Sequence, residues 1–207
     1  MALLAISTGG FDTKIALVGK SIIQERWQSV NDEAEKLMPQ IDRLLIRAGM
    51  NFADLKEVLA IKGPGSFTGL RVGVTVANTI AYLTGSKLYG VNSFSYWWEV
   101  FGKSDPETAL LIFAGKGGLY VSCAKDQQEE LVPLGEINEY IGSRGIKKVF
   151  GPISDEQKME IAGADFIEIE ENFGETILRI LRQNLSPVKI IEPLYVKKPG
   201  ITERKKA

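Results

Sequence analysis

Short apolar runs alternate with glycine-rich or polar turns at the start of the chain. Ala2 to Ile6 and Lys14 to Val18 are separated by Ser7, Thr8, Gly9, Gly10 and Asp12, and Ile22 to Val30 follows Gly19 and Lys20. This pattern predicts three strands joined by tight turns. From Asp32 the period changes. Leu37, Ile41, Leu44, Leu45 and Ala48 fall on one helical face before Gly49, and Asp32 with Glu35 has the spacing of a capping box. Pro39 removes one hydrogen bond from that helix, so either the axis bends there or the regular part begins near Leu37. Met38 and Ile46 lie off the main apolar face, at positions the body of the protein need not cover.

Val58 to Ile61 reads as a buried strand, Gly69 to Thr84 as a helix and Lys87 to Val91 as a strand, followed by an aromatic helical segment around Phe94 to Trp98. After the polar link Lys103 to Glu107 the order starts again. Leu110 to Phe113, Leu119 to Ala124 and Leu131 to Leu134 look like strands, and Glu136 to Ile141 like a short helix. Val149 with Phe150, a polar helix from Asp155 to Ala162, a strand around Phe166 to Ile169 and a helix from Phe173 to Leu185 complete the series. The repetition predicts an α/β protein of two lobes, each a mixed sheet covered by helices. The first lobe is expected over residues 1–104 and a smaller one over 105–207.

The densest local signal is Gly63-Pro64-Gly65-Ser66-Phe67-Thr68-Gly69-Leu70-Arg71-Val72-Gly73, between a strand and a helix. Such a loop either presents free amides to an anion or simply turns the chain, with Ser66 or Thr68 as the helix cap. The order lacks the Lys-Ser/Thr pair of a phosphate-binding P-loop and the spacing of a dinucleotide fingerprint, so the structural turn ranks first. The following helix has no charged residue from Val72 to Ser86, and Gly69, Gly73, Ala77 and Ala81 recur at every fourth position. A surface helix ordinarily carries a charged face, so this one is expected to be covered on both sides. Its own sheet is one cover. The other is either the helix around Leu37 to Ala48 or a partner protein, and on the residues alone the internal cover is the default.

Composition narrows the chemistry. With 25 Lys and Arg against 26 Asp and Glu, the net charge is -1, so the chain as a whole has no field that would draw it to nucleic acid or an anionic membrane. The apolar start is too short for a signal peptide or membrane span, so the chain is expected in the cytoplasm. Cys123 is the single cysteine, and there is no histidine. That excludes imidazole-dependent hydrolases and zinc sites of the H-E-x-x-H kind.

The segment Gly63 to Gly73 resembles the signature of the TsaB family, also called YeaZ. Leu4 to Leu17, the proline-containing helix from Glu33 to Leu45 and the motif Pro193-Leu194-Tyr195 are similar to other parts of that family. The resemblance is strong through Val91 and patchy afterwards. It implies an actin-like, ribonuclease H-like fold of two lobes, shared with sugar kinases and chaperone ATPases. It also implies a non-catalytic subunit that binds TsaD, the catalytic subunit, and TsaE, an ATPase, in forming threonylcarbamoyladenosine on ANN-reading tRNAs. TsaD itself is excluded by its H-x-x-x-H metal motif. Ser7 stands where active members of the fold have an aspartate, Glu33 where the family usually has histidine, and Phe113-Ala114-Gly115 where it has D-A-R. These departures imply no cofactor in the isolated chain and leave any nucleotide to an interface shared with a partner.

In the family the two helices of the first lobe pack against those of TsaD or of a second copy, which raises the partner reading of the uncharged helix above the internal one. Helical position then selects Met38, Leu45 and Ile46 on the first helix and Thr75, Asn78, Thr79 and Tyr82 on the second as contacts. The tail from Lys197 to Lys206, with five Lys or Arg and one Glu, is a candidate contact for tRNA phosphates, against the default of a solvated terminus. The competing class is a small-molecule kinase or ATPase of the same fold; a protease finds no site here.

Overall fold

The structure, a computed structural model, describes residues 2–28, 32–102, 105–115, 117–125 and 128–195. Strand β1 (Leu3–Ser7) pairs antiparallel with β2 (Asp12–Val18), and β2 pairs in the same way with β3 (Ile22–Gln28). On its other side β1 runs parallel to β4 (Glu57–Ile61), which runs parallel to β5 (Lys87–Val91), giving the order β3-β2-β1-β4-β5. All five residues of β1 and of β4 are buried, because helices cover both faces of the sheet. Alternation along β1 divides its side chains. Leu4 and Ile6 join the cluster beneath helices α1 (Glu33–Arg47) and α2 (Phe67–Thr84), and Leu3 and Ala5 join the cluster beneath α3 (Ser93–Phe101) and α6 (Phe173–Leu181).

The second sheet repeats this connectivity. β6 (Thr108–Phe113), β7 (Gly118–Cys123) and β8 (Glu129–Pro133) form the antiparallel side, and β9 (Lys148–Phe150) and β10 (Asp165–Phe166) the parallel side, in the order β10-β9-β6-β7-β8. Helix α4 (Ile137–Arg144) buries Ile137 and Ile141 against one face, and α5 (Asp155–Glu160) lies between β9 and β10. The other face meets the first lobe through rings: Phe150 of β9 stacks on Phe101 of α3 with centroids 4.3 Å apart and meets Trp98 edge-on at 4.9 Å. Trp98 also donates its indole N–H to Ser122 Oγ at 3.1 Å.

Several details differ from the pattern. Asp32 stands at the N-cap of α1 but its side chain makes no capping bond; the carboxylate pairs with Lys36 instead. The helix begins at Glu33 and runs through Pro39, which is exposed. The strand expected over Phe166 to Ile169 is reduced to Asp165–Phe166, and α6 stops at Leu181. Finally, the described chain from α6 to Tyr195 packs on the first sheet. Helix α6 buries Phe173, Ile177 and Ile180 against the first sheet, and the chain from Pro187 to Tyr195 then straps across that sheet's β5 edge. Val188 N–H donates to Leu88 O at 2.8 Å, Ile191 is buried in the first core, and Leu194 N–H donates to Lys62 O at 2.7 Å. The basic tail from Lys197 to Lys206 and the strand end expected at Val30 lie outside the described residues.

Candidate functional site

The glycine loop is a packing junction. Gly63 has φ +110°, which an L side chain rarely adopts, and a Cβ there would come within 2.6 Å of Leu194 O on the strap. At Gly65 a Cβ would sit 2.3 Å from Gly9 O, the acceptor of Ser66 N–H at 2.8 Å. Ser66 rather than Thr68 caps α2, accepting from Gly69 N–H at 3.3 Å while its carbonyl takes Leu70 N–H at 2.9 Å. The amides of Ser66, Gly69 and Leu70 are therefore engaged inside the protein. Thr68 and Phe67 are exposed, and Arg71 lies over the Phe67 ring at 4.9 Å with Tyr195 on that ring at 5.0 Å.

The small residues of α2 serve the chain itself. A Cβ on Gly69 would lie 2.0 Å from Thr8 O, and one on Gly73 would lie 2.1 Å from Thr8 Oγ1, which donates to Gly69 O at 2.7 Å. Ala77 and Ala81 continue the stripe into the core. The close approach expected from this spacing is thus between α2 and the end of β1, and the opposite side of α2 is left to solvent. That side carries Arg71, Thr75, Thr79, Tyr82 (87% exposed) and Leu83 (74%). Helix α1 lies beside α2 and presents Met38 (41%) and Ile46 (67%).

Of the seven selected contacts, Met38, Ile46, Thr75, Thr79 and Tyr82 are exposed on these two helices. Leu45 does not: it is 1% exposed and belongs to the α1 core face with Leu37, Ile41 and Leu44. Asn78 is turned inward along the helix, where its amide donates to Ile191 O and accepts from Ile191 N–H, both at 2.9 Å. Thr79 Oγ1 returns to Thr75 O at 2.8 Å. Leu83 was missed, although its place beside Tyr82 in an uncharged helix was the available signal.

Between the lobes lies a cavity of about 250 Å³. Ser7, Gly9, Gly10, Pro64 and Ser93 bound it from the first lobe, and Ile112, Gly151 and Ile153 from the second. Phe11, in the β1–β2 turn, meets Phe113 across the lobes with ring centroids 4.9 Å apart. Glu33 is buried in the first turn of α1, away from this lining. Among the described residues no group of three or more His, Cys, Asp or Glu side chains is placed to hold a metal ion, and no helix is long and apolar enough to cross a membrane.

Two five-stranded mixed sheets of like connectivity, flanked by helices and facing each other across a cavity, define a two-lobed α/β protein of the actin-like class. Residues 29–139, more than half of the chain, match the family described as TsaD, tRNA N6-adenosine threonylcarbamoyltransferase, and the chain belongs to that family. Relatives named TsaB and relatives named as the transferase both match it. The tRNA threonylcarbamoyladenosine biosynthesis protein TsaB of Bacillus subtilis is 33% identical over 95 residues, 45% of this chain and 42% of that protein. A tRNA N6-adenosine threonylcarbamoyltransferase of Erythrobacter litoralis is 39% identical over 59 residues, 28% of this chain and 17% of that one. The solved structure of YeaZ from Pseudomonas aeruginosa superposes with a TM-score of 0.66 at 16% identity, covering 94% of this chain and 99% of that one, which shows the shared fold. The matched stretches span less than half the length of these curated relatives.

Proposed function

We propose that this chain is a non-catalytic subunit in the formation of N6-threonylcarbamoyladenosine on ANN-reading tRNAs, and that it acts by docking the outer face of α1 and α2 onto the catalytic subunit TsaD. The observation that carries the reading is the exposed apolar set Met38, Ile46, Tyr82 and Leu83 on two adjoining helices, one of them without a charge from Val72 to Ser86. Exposed apolar clusters of this kind mark interaction sites, and aromatic side chains dominate their energetics. The relatives named TsaB support this over a kinase or ATPase of the same fold, as does Ser7 at the end of β1, where such an enzyme needs a carboxylate. TsaE and tRNA belong to the same proposal as further members of the assembly. A homodimer through the α1–α2 face is the state of the free chain in which this surface is covered.

The test is co-elution of the full chain with its cognate TsaD at micromolar concentration. Tyr82→Arg is expected to weaken the complex by about 2 kcal/mol, roughly thirty-fold in Kd, and to lower tRNA modification in step. Its melting temperature should match that of the unaltered chain, because Tyr82 stands in solvent. Absence of a wild-type complex, or full modification by the Tyr82→Arg protein, overturns the docking reading. Saturable ATP turnover by the isolated chain overturns its non-catalytic character.

A further inference from the structure

One polar cluster of the interlobe cleft is used by neither the docking face nor the glycine loop. Lys14, on β2, and Glu171, in the link leading into α6, are almost fully buried, with 9% and 5% of their side chains exposed. Lys14 Nζ donates to both carboxylate oxygens of Glu171, at 2.5 and 2.7 Å. Tyr96 Oη, from α3, donates to Glu171 Oε1 at 2.5 Å. The Arg26 guanidinium, from β3, lies 3.7 Å from Oε2 and is held in place by Asp12. The Lys14 ammonium also stands 5.1 Å from the Trp97 ring centroid. Asp12, Lys14, Arg26, Tyr96, Trp97 and Glu171 all line the interlobe cavity.

The origin of these groups matters. The three donors sit on β2, β3 and α3, which are fixed within the first lobe by strand pairing and by the Tyr96 ring in the core. The carboxylate arrives on an irregular link, after the chain has returned from the second lobe. An ammonium, a phenol and a guanidinium converging on one point are the components of an oxyanion receptor. Burial, with the Arg26 charge added to it, depresses the Lys14 pKa, and the Glu171 carboxylate is the main group opposing that depression, so the charged receptor requires an anion in place.

We propose that the interlobe cleft contains a built oxyanion-binding site, formed by Lys14, Tyr96 and Arg26, which the chain fills with its own Glu171 carboxylate. The ligand class is a small carboxylate or a phosphate. Glu171 occupies the seat such a ligand would take, so the cleft is closed to oxyanions by an internal occupant, independently of the missing carboxylate at Ser7. The proposal does not depend on the docking reading.

Anion rescue of the full chain tests this. Glu171→Ala leaves a buried ammonium without its counter-ion and is expected to lower the melting temperature by about 10 °C in chloride. Acetate or inorganic phosphate at equal ionic strength should restore much of that loss with saturation. The unaltered chain should gain no more than it does from chloride. Acetate outperforming phosphate assigns a carboxylate seat, and the reverse assigns a phosphate seat. Glu171→Gln fills the space with an amide and should be destabilised without rescue, and Lys14→Met combined with Glu171→Ala should lose the anion response. If Glu171→Ala is unfolded in chloride, recovery of folded protein on refolding in acetate or phosphate becomes the readout. Equal stabilisation of the Glu171→Ala and unaltered chains, or no anion response in Glu171→Ala, overturns the proposal.

Discussion

Tyrosines held above their ordinary pKa, among them Tyr96, Tyr89, Tyr140 and Tyr120, bear on the stability of the fold in alkali. Tyr96 is held above its ordinary pKa of 10.0 by burial and by the adjoining Glu171 carboxylate, and Tyr89 by burial and its hydrogen bond to Glu57. Each phenol keeps its proton in the folded chain where the unfolded chain has lost it. The stability they contribute is fully present below pH 10 and is lost as pH rises through the folded values. Lys14 acts in the opposite sense below 10.5, but as a single group. Thermal melts from pH 8 to 11 should therefore show stability falling above pH 10, by up to about 1.4 kcal/mol per pH unit from Tyr96. Tyr96→Phe should flatten that slope by one proton. At this scale the sequence is readable where backbone demands it and silent where tertiary partners decide. The glycines of the 63–73 loop announced a turn, and Gly65 does meet Gly9 in one. Nothing in the chain near Lys14 pointed to Glu171, because 157 positions separate them.

Elements were legible where one periodicity ran for long enough. Helices α1 and α2 fall close to their apolar patterns, and β1, β2 and β4 close to their runs. Exposed faces were harder to read, since Leu45 and Ile46 are neighbours of the same type and only packing against the sheet separates them. The strap from Pro187 to Tyr195 was legible only as a motif of the family. It has no regular period, and it is ordered by borrowed partners: Leu88, Lys62 and the Asn78 amide. Asn78 thus clamps both backbone polar groups of Ile191 from the middle of α2. Asn78→Ala should cost about 1–3 kcal/mol in denaturant unfolding. It should also accelerate amide exchange at Val188 and Leu194 more than in β1, since the strap then opens before the sheet does. Uniform acceleration across the first sheet would contradict a local clamp.

For the molecule as a whole, duplication of the strand order was visible in the sequence, but the packing of α6 on the first sheet was not. Apolar pattern gives no sign that α6 belongs to the first sheet, since its buried residues Phe173, Ile177 and Ile180 would suit either one. The lobes are joined by the rings of Trp98, Phe101 and Phe150, with Phe94, Leu110 and Ile112 buried around them. Such a core makes them one cooperative unit, and a single calorimetric transition is expected. Phe150→Ala, which empties the centre of the stack, should cost about 3–5 kcal/mol and split that transition in two. A single sharp transition in the Phe150→Ala chain would place the coupling elsewhere.

The return of α6 and the strap to the first sheet bears on how the protein is made. Domains ordinarily fold as they leave the ribosome, N-terminal part first. Here the inner face of β1 and β2 waits for Phe173 and Ile177, and the β5 edge waits for Val188. Between residue 101 and residue 173 the growing polypeptide therefore holds a half-clad sheet. A nascent chain paused in that interval presents apolar surface and an unpaired strand edge to chaperones, and its first half becomes native only when nearly all of the described chain has emerged.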